Sequence, residues 1–165
     1  MTDKERTLTI SWEDPRPLAE AGRGMSGAEF LRKIVAGELP GPPLAMLMNF
    51  KIVEVGEGHA TFAVDPAECH YNPIGVVHGG LAATLLDSAM GCAVHSMLPA
   101  GTGYTTLELK VNFIRAMTAE TGRVRAEAKL IHLGARTATA EGRVVDESGK
   151  LYAHGTTTCL ILKTI

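Results

Sequence analysis

The run Gly80-Leu-Ala-Ala-Thr-Leu-Leu-Asp87-Ser-Ala-Met-Gly91-Cys-Ala-Val94 constrains this chain more than any other stretch. Its residues are almost all apolar or small, so a helix over them has no polar face and is expected to be buried all round. Such a helix cannot lie on a flat sheet with one side wet. It needs a curved sheet, or a sheet plus a second subunit, to wrap it. Asp87 stands in the middle. The helical neighbour positions Ala83, Thr84, Met90 and Gly91 offer it no cation. A buried carboxylate without a partner is costly, and a residue kept at that cost usually has a chemical task.

The surroundings of the helix read as strands. Phe50 to Val55 alternates apolar and polar residues, Gly56-Glu-Gly58 is a turn, and His59 to Val64 returns beside it. After the helix, Leu107, Leu109, Val111 and Phe113 are expected on one face, with Thr106, Glu108, Lys110 and Asn112 on the other. Gly122 to Leu133, Arg136 to Asp146 and Leu151 to Leu162 follow as three more strands. Short turns join these later strands, so an antiparallel meander of the last four is expected. The order is two strands, one long helix and four strands, an α+β fold of about six strands around a central helix.

Residues 1–43 differ in character and are expected to form an extension capping the main body, residues 44–165. Leu8 to Trp12 reads as a short strand. Ser26 to Gly37 reads as a short helix, with Ser26 as N-cap, Glu29 in the capping-box position and Gly37 as the stop. Pro40-Gly-Pro-Pro43 breaks the chain before the first strand of the body.

The formal net charge of −2 gives no global pull toward nucleic acid or an anionic membrane. Cys69, Cys92 and Cys159 form no paired framework, which fits a reducing compartment. The charged start carries no apolar signal core, and no apolar run is long enough to span a bilayer. The expectation is a soluble, cytoplasmic protein. The other histidines, His59, His70, His95, His132 and His154, lack metal-ligand spacing, so no metal is expected.

The chemistry-bearing phrase lies at the helix start. Gly79 and Gly80 place backbone N–H groups there without intrahelical partners, at the positive end of the helix dipole. Glycine lets a ligand approach that backbone closely. A carbonyl oxygen aimed at the Gly79 N–H would be polarised, and a developing oxyanion stabilised. Asp87 can then act as base on a water or attack directly. These parts together suggest hydrolysis of an activated acyl group.

Asn72, His78-Gly79-Gly80 and Asp87, at this spacing, resemble the hotdog-fold acyl-CoA thioesterases of the PaaI-like (phenylacetate-degradation) type. The resemblance covers roughly residues 44–162. It implies the hotdog fold, with the sheet wrapping the helix, and hydrolysis of an acyl-CoA to free acid and CoA. It implies that Gly79 N–H polarises the thioester and that Asp87 is base or nucleophile, acting across a dimer. It implies that His78 orients the loop and helps polarise the carbonyl, that Asn72 positions water or thioester, and that Thr106, or Thr105 by register, holds water. CoA is expected along Gly80, Phe113 and Arg115 and along His132, Gly134, Arg136 and Thr137. The expected partner is a second copy, as dimer or dimer of dimers, and no cofactor beyond the CoA of the substrate is implied. Ala116 stands where many relatives have proline, and Gly91 argues against a sister group with Glu and Thr on the helix.

Each residue also has a plainer reading. Asp87 can be a structural acid with a distant partner, His78 a packed residue at a helix start, and Asn72 an ordinary Asn-Pro turn. Thr106 can be a β-branched strand residue, and Arg115 and Arg136 solvated surface charges. Two rival functions remain beside the thioesterase: an acyl-CoA-binding module without catalysis, and a hydratase or dehydratase. Leu81, Leu85, Met90, Met46 and Met48 are expected to shape the acyl pocket.

Overall fold

The computed structural model describes residues 5–163. Three helices come first: α1 (Pro15–Arg23), α2 (Gly27–Val35) and α3 (Pro43–Leu47). Strands β1 (Phe50–Gly56) and β2 (His59–Val64) follow, then α4 (Gly79–His95). The chain ends with β3 (Thr102–Phe113), β4 (Val124–Leu133), β5 (Thr137–Asp146) and β6 (Leu151–Lys163). All strands pair antiparallel in one sheet of order β1-β2-β4-β5-β6-β3.

The helix packs on one face of this sheet because the two surfaces are complementary in size. The helix contributes the bulk: Leu81, Leu85, Leu86, Met90 and Val94 are at most 2% exposed. The sheet contributes small residues. Ala60, Ala126, Ala128, Ala138, Ala140 and Ala153 are all buried. Gly142 completes the pattern, since a Cβ there would lie 3.1 Å from Leu86 Cδ2 and 3.2 Å from Met90 Cγ. Each large side chain buried this way contributes about 1.5–3 kcal/mol.

The expected four-strand meander is only partly formed. β4, β5 and β6 are consecutive neighbours, but β3 lies beside β6 at the sheet edge. The free side of β4 is taken by β2, with Ala60 opposite Ala128 and Phe62 opposite Ala126. β3 pairs instead with β6, at the end of the sheet opposite β1.

The expected faces of β3 are also corrected. The β3–β6 register shifts between Thr106 and Glu108, so Leu107 is an extra, bulged residue. Thr106 opposes Cys159, while Leu109 opposes Thr157 and Val111 opposes Gly155. Directly opposed residues share a face. Thr106 thus joins Leu109 and Val111 on the helix side, and Leu107 is 56% exposed. Thr157 Oγ1 donates to the Glu108 carbonyl at 2.6 Å and holds the bulge.

In the N-terminal segment, Leu8 to Trp12 forms no strand, because its alternating side chains find no neighbouring strand to ladder with. Helix α1 follows instead, capped by Asp14, whose carboxylate accepts from Arg16 N at 3.0 Å, with Pro15 pre-set for the first turn. Helix α2 starts as expected at Ser26, whose Oγ accepts from Glu29 N. Pro43 opens α3 rather than ending structure, and Met46 is helical. Helices α2 and α3 pack against β1, and Leu31 and Ala45 enter the same core as α4. No helix among the described residues is long and apolar enough to cross a membrane.

Leu86 is fully buried between α4 and the glycine-floored centre of the sheet. Leu86→Ala leaves a cavity that a rigid sheet cannot fill. It should lower the unfolding free energy by about 2–5 kcal/mol in urea denaturation.

Candidate active site

Helix α4 is not buried all round by its own chain. Ala83, Thr84, Asp87, Ser88, Cys92 and His95 are only half-buried and form one stripe along it. Leu81, Leu85 and Met90, expected to shape a pocket, are buried in the chain's own core. Met46 and Met48 lie just before β1, in and at the end of α3, and Met48 packs against the core.

Asp87 is not without a partner. Thr106 Oγ1 donates to Asp87 Oδ1 at 2.8 Å. The donor comes from β3, so a check of helical neighbours cannot find it. The β3 bulge makes it available by turning Thr106 to the helix side. Thr105, the alternative by register, opposes Leu160 on the other face. Oδ2 of Asp87 has no hydrogen-bond partner among the described residues.

Around this carboxylate lie groups that the sequence reading did not single out. A Cβ on Gly91 would sit 2.6 Å from the Tyr104 hydroxyl, so the missing side chain admits the tyrosine against the helix beside Asp87. Burial pushes the Cys92 thiol up to about 12 and the Tyr104 phenol well above its usual range, so both stay protonated. A glycine in the middle of a helix was the one signal for this close approach.

The helix start is assembled by the preceding loop. His78 is the N-cap residue, and its Nδ1 accepts from Gly80 N–H at 2.8 Å. That bond leaves the ring proton on Nε2, free to donate outward. His78 N–H donates to the His70 carbonyl at 2.8 Å, and Val77 N–H to the Met117 carbonyl at 2.9 Å. His70 is itself fixed, its Nδ1 accepting from Ala67 N–H, and burial lowers its pKa. Gly79 N–H remains without a partner among the described residues. Phe113 closes over it, 3.1 Å from where a Gly79 Cβ would stand.

Asn72 builds the loop. Its Oδ1 accepts from Ile74 N–H and Val76 N–H, so only its amide N–H groups can meet a ligand. A cavity of about 420 Å³ beside the helix start is lined by Val77, Gly79, Phe113, Arg115, Met117 and Tyr152. Arg115 Nη1 donates to the Leu151 carbonyl at 2.6 Å, and the Ile114 and Arg115 N–H groups donate to the Tyr152 carbonyl.

His132, Gly134, Arg136 and Thr137 sit together on the β4–β5 hairpin, closed by Gly134 N–H to the Thr137 carbonyl at 2.8 Å. They do not lie near Arg115. Phe113 opposes Ala153 on β6, while Thr137 opposes Leu160 on the same strand. Seven residues of strand separate those positions, about 23 Å. Gly79 and Asp87 are likewise eight residues apart on α4, about 12 Å along the axis. One chain therefore separates the unpartnered Gly79 N–H from the Asp87 carboxylate, and one set of expected CoA residues from the other. Among the described residues no three of His, Cys, Asp or Glu converge as metal ligands.

The thioesterase superfamily pattern matches residues 74–153. The 1,4-dihydroxy-2-naphthoyl-CoA hydrolase of Escherichia coli is 32% identical over 117 residues, 70% of this chain and 83% of that protein. A conserved protein of Pseudomonas aeruginosa superposes with a TM-score of 0.69 at 34% identity, over 74% of this chain and 95% of the other. A phenylacetic acid degradation-related protein of Ralstonia eutropha superposes with a TM-score of 0.71 at 29% identity, over 79% of this chain and 98% of its own.

The wall of the Arg115 cavity depends on Asp146. Its carboxylate accepts from Ser148 Oγ and N–H, Lys150 N–H and the Tyr152 hydroxyl, and these bonds, Ser148 first, lower its pKa from 3.8 to about 2. A carboxyl whose folded pKa is depressed stabilises the fold above its unfolded pKa and loses that effect as pH falls through the folded value. The Tm of the protein should therefore drop between about pH 4 and about pH 2, and Asp146→Asn should flatten that part of the melting profile.

Proposed function

Because the chain belongs to the thioesterase superfamily, we propose that it hydrolyses an acyl-CoA thioester at a site completed between two copies of itself. The observation that carries this reading is the Asp87 carboxylate on the half-open stripe of α4. Thr106 holds one of its oxygens, and the other is free to act.

In the proposed reaction the thioester oxygen sits on Gly79 N–H, where the helix dipole stabilises the oxyanion. Asp87 Oδ2 takes a proton as water adds to the carbonyl carbon, or itself attacks that carbon and expels the CoA thiolate, leaving an acyl-aspartyl anhydride that water then cleaves. The C–S bond breaks, the acid is released, and the proton passes to the CoA thiolate. Thr106 fixes the carboxylate through Oδ1. His78 Nε2–H and the Asn72 amide donate to the thioester or to water. Arg115 and Arg136 have no carboxylate partner among the described residues and can hold CoA phosphates, with Phe113, Gly80, His132, Gly134 and Thr137 along the rest of the molecule.

The separations of about 12 Å and 23 Å within one chain support a shared site. β3 is a twelve-residue edge strand with one side unpaired. Such an edge invites pairing. Two β3 edges joined antiparallel about a two-fold axis at Lys110, with Leu107 bulged out of the ladder, set Thr106 of one copy opposite Phe113 of the other. Thr106 holds Asp87 and Phe113 covers Gly79, so this pairing brings the acid of one helix toward the N–H of the other. An acyl-CoA-binding module without catalysis has no use for a carboxylate held in this way.

Asp87→Asn should reduce acyl-CoA turnover at least about hundredfold in a thiol-release assay while the protein stays folded and binds CoA. Unchanged hydrolysis by this variant would refute the mechanism. The shared site has its own test. Gly79→Pro removes the N–H at a helix position where proline is tolerated. Mixed dimers of Gly79→Pro with Asp87→Asn regenerate one intact site, so mixing two inactive variants should restore activity. A stable, active monomer in sedimentation would contradict the shared site.

A further inference from the structure

The open stripe of α4 runs on from Asp87 past Cys92 to His95, where the N-terminal helices meet it. The contact there is close. A Cβ on Gly27, the first residue of α2, would lie only 1.8 Å from the His95 carbonyl oxygen, and Gly27 N–H donates to the Leu98 carbonyl at 3.0 Å. The end of α1 is tied as well, its Arg23 carbonyl accepting from Gly101 N–H at 3.1 Å. No side chain fits between α2 and the end of α4, so the two helices hold a fixed relation.

Three rings stack across this junction. Tyr104 lies 5.5 Å from His95, and His95 lies 5.8 Å from Phe30 of α2, all tilted. Burial lowers the pKa of His95, which keeps the imidazole neutral. Behind the rings is a cavity of about 280 Å³ lined by Gly22, Arg23, Phe30, His95, Thr102 and Tyr104. Two of its walls, His95 and Tyr104, are the groups that also bound the stripe beside Asp87. Gly22 keeps the cavity open, since a Cβ there would meet the Phe30 ring at 3.3 Å.

We infer that α1 and α2 form the far wall of the acyl pocket, so that Phe30, backed by Gly22 and stacked on His95, sets how long an acyl group the enzyme accepts. This inference rests on the proposed thioesterase reading, with the reacting carbon beside Asp87. His95 is eight residues beyond Asp87, about 12 Å along the helix. An acyl group must be extended and apolar to reach it. Acetyl and other short acyl groups leave the ring wall uncontacted, and longer chains press on Phe30. The class selected is an apolar acyl group of intermediate length, and the selecting element is the segment that precedes the β-sheet body.

The experiment measures kcat/KM by thiol release for straight-chain acyl-CoAs from acetyl to palmitoyl. It uses the wild type, Phe30→Ala, the milder Phe30→Leu, and Gly22→Leu, with Tm recorded for each. Shortening Phe30 deepens the pocket and should move the optimum to longer chains. Gly22→Leu fills the cavity from α1 and should move it to shorter ones. A methylene in an apolar pocket is worth about tenfold or more in discrimination. The ratio of long-chain to short-chain kcat/KM should therefore rise about tenfold in one direction and fall about tenfold in the other. Folded variants with full turnover and the wild-type chain-length profile would overturn the wall and leave the thioesterase reading standing. A wild type that releases CoA from no member of the panel would overturn the wall, and one that also releases none from an aromatic acyl-CoA such as benzoyl-CoA would overturn both.

Discussion

The burial of one apolar helix governs this molecule. α4 has no polar face to offer water, so the sheet must come close on as many sides as one chain can reach. It does so by giving up side-chain volume. Alanines and Gly142 line the inner surfaces of β4, β5 and β6, and the leucines of α4 fill the space they leave. One stripe escapes cover, and Asp87 lies on it. The position of the carboxylate is thus a consequence of packing: it occupies the line that a single sheet cannot wrap.

The bond from Thr106 changes what Asp87 is. Read from sequence, it is a costly charge in a dry helix. In the folded chain it is a half-buried carboxylate with one oxygen anchored. Anchoring fixes the direction of the second oxygen, and half-burial leaves that oxygen reachable. A surface aspartate would lack the orientation, and a fully buried one the access. The β3 bulge is the device that supplies both, since without Leu107 as an extra residue Thr106 would face away from the helix.

Elements with strong periodicity were legible in the sequence. The apolar run gave α4 to within a residue at either end, and β2 was found at its observed ends, His59 and Val64. The Ser26 cap was legible because capping depends on local hydrogen bonds. What was not legible depends on partners distant in sequence. The place of β3 beside β6 follows from β2 occupying the flank of β4, which no turn length reveals. The bulge at Leu107 breaks a clean alternation without a glycine or proline to announce it. Leu8 to Trp12 alternates as a strand does, yet the β1 side of the sheet is where α2 and α3 pack. In the site, His78 and Gly79 were readable because a helix start creates free N–H groups wherever it occurs. The bond from Thr106 to Asp87 and the approach of Tyr104 were not, and Thr106 entered only through the family resemblance, because both residues reach the helix from another strand.

The two edges of the sheet are treated differently, and this asymmetry bears on the function. At β1, α2 and α3 pack against the strand and add Leu31 and Ala45 to the core. At β3, twelve residues of backbone face outward, with Leu107 and Phe113 more than half exposed. A long bare edge leaves a row of backbone groups with which a further strand could pair. The same N-terminal segment that covers β1 also closes the stripe of α4 at His95. The stripe is then shut at one end by the chain's own extension and open along the side where β3 lies. A ligand on that stripe would have its far end defined within one chain and its near end only by what meets β3.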